Sequence, residues 1–198
     1  MTGGGSLPSP PVLRVSAELP EWIDAVVDWD RLYTTGEERM RLVIDLSREN
    51  VLRGTGGPFG AAVFETGSGR LLSAGVNSVE RLKNSALHAE VLALMLAQRR
   101  LHSFTLNAVS LPECELVSSC EPCAMCLGAV LWSGVRQLTC GAGRDDAMRI
   151  HFEEGPVFPA SFAYLEQRGI RIVRDFLRDE ANSVLTLYAE RGGAIYNA

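Results

Sequence analysis

Three cysteines, Cys120, Cys123 and Cys126, fall within seven residues of the stretch SSCEPCAMCLGAVLWSG, residues 118–134. Thiolates at that density serve thiol–disulfide exchange or metal binding. A CxxC pair by itself also fits a thioredoxin-type redox centre or half of a structural zinc site. Upstream, however, HAEVLALMLAQRR opens with His88, Ala89 and Glu90. Two thiolates and one imidazole make three ligands, one fewer than a closed structural zinc site holds, so a fourth position is left for water. Zinc lowers the pKa of bound water toward about 7, which makes hydroxide available at neutral pH. Glu90, two residues from His88, is placed to take the water proton and pass it to a leaving group. The spacing therefore points to one catalytic zinc per chain, held by His88, Cys123 and Cys126.

These residues need elements to position them. Pro122 stands where a helix can start, because the N–H it lacks would be unpaired there. Cys123 is then expected in the first turn, with Cys126 three residues on along the same face. The positive end of that helix lowers thiol pKa and favours metal binding. HAEVLALMLAQRR reads as a second helix opened by His88. TTGEERMRLVIDLSREN offers two capping boxes, Thr34 with Glu37 or Thr35 with Glu38, followed by Met40, Val43, Ile44 and Val51 on one helical face. FGAAVFE and RLLSAGVNS, joined by TGSG, form an antiparallel hairpin. Strands around Leu116–Ser119, in RQLTCGAG and in RGIRIVR alternate with helices, the last near 179–191. This alternation predicts α/β architecture: three layers, α/β/α, around a mixed central sheet of about five strands.

Composition limits the rest. The 198 residues, 46% hydrophobic, suffice for one core, so residues 19–198 are expected to form a single domain behind a Gly/Pro/Ser-rich flexible tail, residues 1–18. Five cysteines are an odd number in a chain of this size, which argues against a disulfide framework. No secretory signal pattern or membrane-length apolar run is read, which places the chain in the cytoplasm. A net charge of -5 with a single lysine gives no broad phosphate-binding face, so neither nucleic acid nor membrane is an expected partner.

Taken together, HAE and PCAMC resemble the H-x-E…P-C-x-x-C signature of the cytidine deaminase-like superfamily of zinc-dependent deaminases. GGPFGAAVFE, GVNS, HAEVLAL, ELVSSCEPCAMCLGAVLWSGVR, FEEGP and the closing IYNA resemble its bacterial guanine deaminase branch, from about residue 35 onward. The resemblance implies hydrolytic deamination of a free nucleobase, guanine first, with ammonia released. Cytosine, isoguanine or an aminotriazine are the alternatives, followed by a nucleoside or tRNA substrate and, outside enzymes, a non-catalytic zinc-binding interaction module. It further implies that Glu90 carries the proton, with Glu154 as a second catalytic carboxylate over the pocket on a Gly- and Pro-containing lid. Asn77 would hydrogen-bond the base, the backbone of Ala89 would help hold the ring, and Phe59 and Trp132 would line the pocket.

For Trp132 the competing expectation is core packing, for Asn77 a turn, and for Glu153 and Glu154 a solvated pair. Cys120 is not a ligand in this family, and it is expected to pack in the core with Cys114 and Cys140. A homodimer is implied, with the apolar helices after His88 and Cys126 as candidates for burial. RLKNSAL should border the pocket mouth, and an ending directly after IYNA is expected to loosen pocket closure.

Overall fold

The computed structural model describes residues 14–196, so the first thirteen positions of the expected tail lie outside the described residues. Residues 14–18 carry no regular element. The elements run α1 (Ile23–Val26), α2 (Gly36–Leu52), β1 (Gly60–Glu65), β2 (Leu71–Val76), α3 (Val79–Leu82), α4 (Ala89–Arg100), β3 (Cys114–Cys120), α5 (Ala124–Ser133), β4 (Gln137–Ala142), α6 (Arg144–Arg149), α7 (Pro159–Gln167), β5 (Arg171–Val173) and α8 (Arg178–Glu190). Of the two capping boxes open in the sequence, α2 uses Thr35 with Glu38. The Thr35 hydroxyl accepts from the Glu38 N–H at 3.2 Å, and the Glu38 carboxylate accepts from the Thr35 N–H at 3.1 Å.

The strands form one sheet in the order β2-β1-β3-β4-β5. β1 runs antiparallel to both β2 and β3, while β3, β4 and β5 are parallel. Because side chains alternate across a strand, the sheet serves two cores. Ala62, Phe64 and Val117 pack with residues of α1, α2 and α8. Ala61, Val63, Leu116 and Leu138 pack with residues of α4, α5 and α7 on the other face. This is the three-layer arrangement expected from the alternation of elements.

The topology sets where a site can form. β2, β3 and β4 point the same way, so their C-terminal ends share one sheet edge with the start of β1. Phe59 precedes β1, Asn77 follows β2, Glu121 to Cys123 follow β3, and Gly143 follows β4. Parallel α/β sheets leave their crevice at that edge. At the opposite end of the sheet, Arg39 of α2 and Glu115 of β3 form a buried ion pair at 2.6 Å. Gln137 and Thr139 of β4 complete the Glu115 carboxylate, at 2.7 and 2.5 Å.

Candidate metal centre and active-site cleft

His88 is the N-cap of α4 and Cys123 the N-cap of α5. The sequence placed Cys123 inside its helix behind a first-position proline. The structure sets both two positions earlier, since the extended ψ of 174° at Cys123 keeps that residue outside the helix and Pro122 precedes the cap. Two helix N-termini thus converge on one point, and their dipoles favour negative charge there.

The nitrogen Nδ1 of His88 lies 3.6 Å from the Sγ of Cys123 and 3.6 Å from the Sγ of Cys126. All three donor atoms fall within 4.8 Å of one another. A tetrahedral zinc, with bonds of about 2.3 Å to sulfur and about 2.0 Å to nitrogen, separates those atoms by about 3.6 Å, so the donor set fits the ion.

The electrostatics agree. Hydrogen bonds from the Cys126 side chain, the His88 ring and the Cys126 backbone outweigh burial and bring the Cys123 thiol down to about 4. Cys126 is driven the other way, by its bond to Cys123 and by burial. A bound dication would favour the ionised form of both thiols.

A cleft of about 370 Å³ opens beside these donors. Its walls include His88, Cys123 and two carboxylates that the structure buries, Glu90 at 6% and Glu154 at 7% exposure. Burial, followed by the negative charge of Cys123, raises both; Glu154 is pushed up to about 8. Glu153 also borders the cleft but is exposed. The segment carrying them is anchored: the Glu154 carbonyl accepts from the Ala124 N–H at 3.0 Å, capping α5, and the Gly155 carbonyl accepts from Arg144 at 3.2 Å.

The remaining expected residues divide. Phe59 lines the cleft. Asn77 and Ala89 are fully buried at the same edge, and Asn77 Nδ2 has no hydrogen-bond partner among the described residues. Trp132 is neither on the cleft wall nor in the core; it is 80% exposed. Helix α5 turns Cys126, Leu127, Val130 and Ser133 inward, and at 3.6 residues per turn position 132 falls on the opposite side. Cys120 and Cys140 are buried, their thiols raised well above the ordinary range chiefly by burial, and Cys114 is pushed up to about 11 for the same reason. Val79 and Ser85 bring the segment before His88 to the cleft mouth.

Four further cleft residues escaped the sequence reading: Phe152, Tyr196, Met125 and Glu121. Phe152 sits edge-on to both Phe59 and Tyr196 at 5.0 Å. The Tyr196 hydroxyl is buried without a partner among the described residues. Of the ending expected to loosen closure, Tyr196 lines the cleft, while residues 197 and 198 lie outside the described residues. Tyr196 packs over Gly57, where an added Cβ would lie 1.9 Å from Tyr196 Oη.

Comparison with known proteins places this geometry. A sequence model of the cytidine and deoxycytidylate deaminase zinc-binding region matches residues 34–142. The guanine deaminase of Bacillus subtilis (strain 168) is 33% identical over 134 residues, 68% of this chain and 81% of the relative. A solved guanine deaminase from Nitrosomonas europaea is similar at a TM-score of 0.84 with 44% identity, covering 94% of this chain and 100% of that one. A structure in complex with 2,6-diaminopurine gives 0.86 with 46% identity, covering 94% and 97%. With its matched region containing His88, Glu90 and both cysteine donors, the chain belongs to the cytidine and deoxycytidylate deaminase zinc-binding family.

Proposed function

We propose that this protein is a zinc-dependent hydrolytic deaminase of free nucleobases, with guanine as its substrate. The observation that carries the reading is the pair of buried carboxylates, Glu90 and Glu154, on one small cleft beside the His88, Cys123 and Cys126 donors. Zinc, when bound, activates water at neutral pH and polarises what it touches. Glu90 takes a proton as the water oxygen joins the amine-bearing ring carbon. A proton is placed on the adjacent ring nitrogen, by Glu90 or by Glu154. The hydroxyl just added gives its proton to the carboxylate that protonated the ring, Glu90 delivers a proton to the exocyclic nitrogen, the C–N bond breaks, ammonia leaves, and a carbonyl remains. Asn77 hydrogen-bonds the base, the Ala89 backbone holds the ring, and Phe59 packs against it.

A purine is favoured because the guanine deaminase relatives are similar over most of the chain, and because similar structures hold 8-azaguanine and 2,6-diaminopurine. Tetrameric or longer polyanions find no help in a chain of charge -5, which supports a free base over tRNA. Ammonia release across guanine, cytosine, isoguanine, adenine, an aminotriazine, guanosine and tRNA tests the assignment. Guanine should be fastest, and faster turnover of cytosine or of a nucleoside overturns it.

We also read residues 19–198 as one domain, supported by a single sheet between two cores. A homodimer is supported by exposed Met95 on α4 and exposed Met125 and Trp132 on α5. Sedimentation of Trp132→Glu against the unchanged protein tests it; equal masses at monomer size for both refute it. No helix among the described residues is long and apolar enough to cross a membrane, and five free cysteines suit the reducing cytoplasm.

A further inference from the structure

Asn50 takes no part in the chemistry above, yet it is fully buried beside the cleft, near the end of α2. Its side chain is saturated. Nδ2 donates to the Gly57 carbonyl at 2.9 Å and to the Asn77 carbonyl at 3.0 Å, and Oδ1 accepts from the Thr55 hydroxyl at 2.7 Å. Thr55 in turn accepts from the Trp22 indole N–H at 3.0 Å, which ties the network to the segment entering α1.

Asn77 is clamped from its other side as well, since its N–H donates to the Phe59 carbonyl at 3.0 Å. The loop between Asn50 and Phe59 leaves no slack: a Cβ at Gly56 would lie 2.0 Å from the Asn77 carbonyl oxygen and 2.7 Å from Asn50 Nδ2. One amide thus holds the backbone under a buried side chain whose own Nδ2 has no partner among the described residues. Only an amide can do this. It alone presents two donors to two carbonyls while accepting from a hydroxyl.

We propose that Asn50 is a positioning residue for base recognition: it holds Asn77 at the spacing the substrate requires. This rests on the reading of Asn77 as a base-binding group. Displacements of about 1 Å in such groups carry large kinetic penalties even when the reacting groups are intact.

The test is a double-mutant cycle on the zinc-loaded enzyme with guanine, using Asn50→Ser, Asn77→Ala and both together. Asn50→Ser should raise KM about tenfold with a smaller change in kcat and one zinc per chain retained. In the Asn77→Ala background the same substitution should change kcat/KM less than about twofold. A purely structural role lowers thermal stability and leaves KM of the folded enzyme unmoved. An unchanged KM in Asn50→Ser, or a full effect persisting without the Asn77 side chain, overturns the proposal. Near-normal kcat/KM in Asn77→Ala alone instead removes the base-binding reading, and this proposal with it. If Asn50→Ser does not fold, Thr55→Val loosens the same amide and should raise KM about threefold, an increase that Asn77→Ala abolishes; an unchanged KM there overturns the proposal.

Discussion

Arg39 and Glu115 offer a stability test that leaves the chemistry alone. Both side chains are buried, at 8% and 3% exposure. The Arg39 guanidinium donates to Glu115 at 2.6 Å, to the Tyr33 carbonyl at 2.8 Å and to the Thr66 carbonyl at 3.0 Å. Arg39→Met keeps most of the side-chain volume but strands the Glu115 charge, with only Gln137 and Thr139 left to solvate it. Breaking a buried pair from one side costs about 3–5 kcal/mol. Against a total stability of about 5–15 kcal/mol that is a large loss. At about 2–4 °C per kcal/mol for a domain of this size, Tm should fall by about 6–20 °C. Glu115 lies near the start of β3, five residues or about 17 Å from Cys120 at the cleft end. Zinc content and kcat at low temperature should therefore be unchanged. Thermal and urea unfolding at fixed zinc concentration provide the measurement, with Arg39→Met/Glu115→Leu as the control. Removing both charges should recover much of the loss, because the cost comes from the stranded carboxylate rather than from a missing attraction. A loss below about 1 kcal/mol in Arg39→Met, or a double variant no better than the single, refutes this reasoning.

Other expectations concern the cleft. Glu90→Gln should keep fold and zinc but lose about 10²–10⁴ in kcat, because an amide does not shuttle protons; an active variant would sink the mechanism. Glu154→Gln should lower turnover sharply with zinc unchanged, while exposed Glu153→Gln has a smaller effect, and steady-state kinetics on guanine would expose a reversed order. Metal analysis should find that Cys123→Ala and Cys126→Ala lose zinc while Cys120→Ala keeps it, since Cys120 is core packing with its Sγ 3.7 Å from the Gly143 carbonyl. Zinc retained in the first two would disprove the ligand set. Chelation should abolish deamination and lower Tm, and added zinc should restore both.

Much of this protein is legible along the chain because the relevant physics is local. Helix α2 announces its start through Thr35 and Glu38, three residues apart. The β1–β2 hairpin follows from alternating apolar residues around a glycine turn. The donors are carried by types and spacing that have few other uses, and Glu90 is within two residues of His88. The short helices α6 and α7, by contrast, have weak local signals, and their residues depend on β4, β5 and the neighbouring helices for burial. The exposure of Trp132 on α5 was hidden for a related reason. An apolar run identifies a helix, but which of its sides meets the core depends on the rotation at which α5 docks.

What the sequence by itself determined is the inventory: a zinc donor set, a carboxylate two residues from its histidine and the alternating elements of an α/β sheet. Tertiary structure alone decided which distant residues complete the cleft. Phe59, Glu154 and Tyr196 are separated by tens of residues, and they line one cleft only because parallel β2, β3 and β4 end at the edge where β1 begins. The same applies to the Asn50 amide, whose partners Gly57 and Asn77 come within reach once α2 has packed on the sheet. Spacing along a chain encodes contacts within a turn or a strand, whereas contacts across strands arise from register and packing, which are properties of the whole fold.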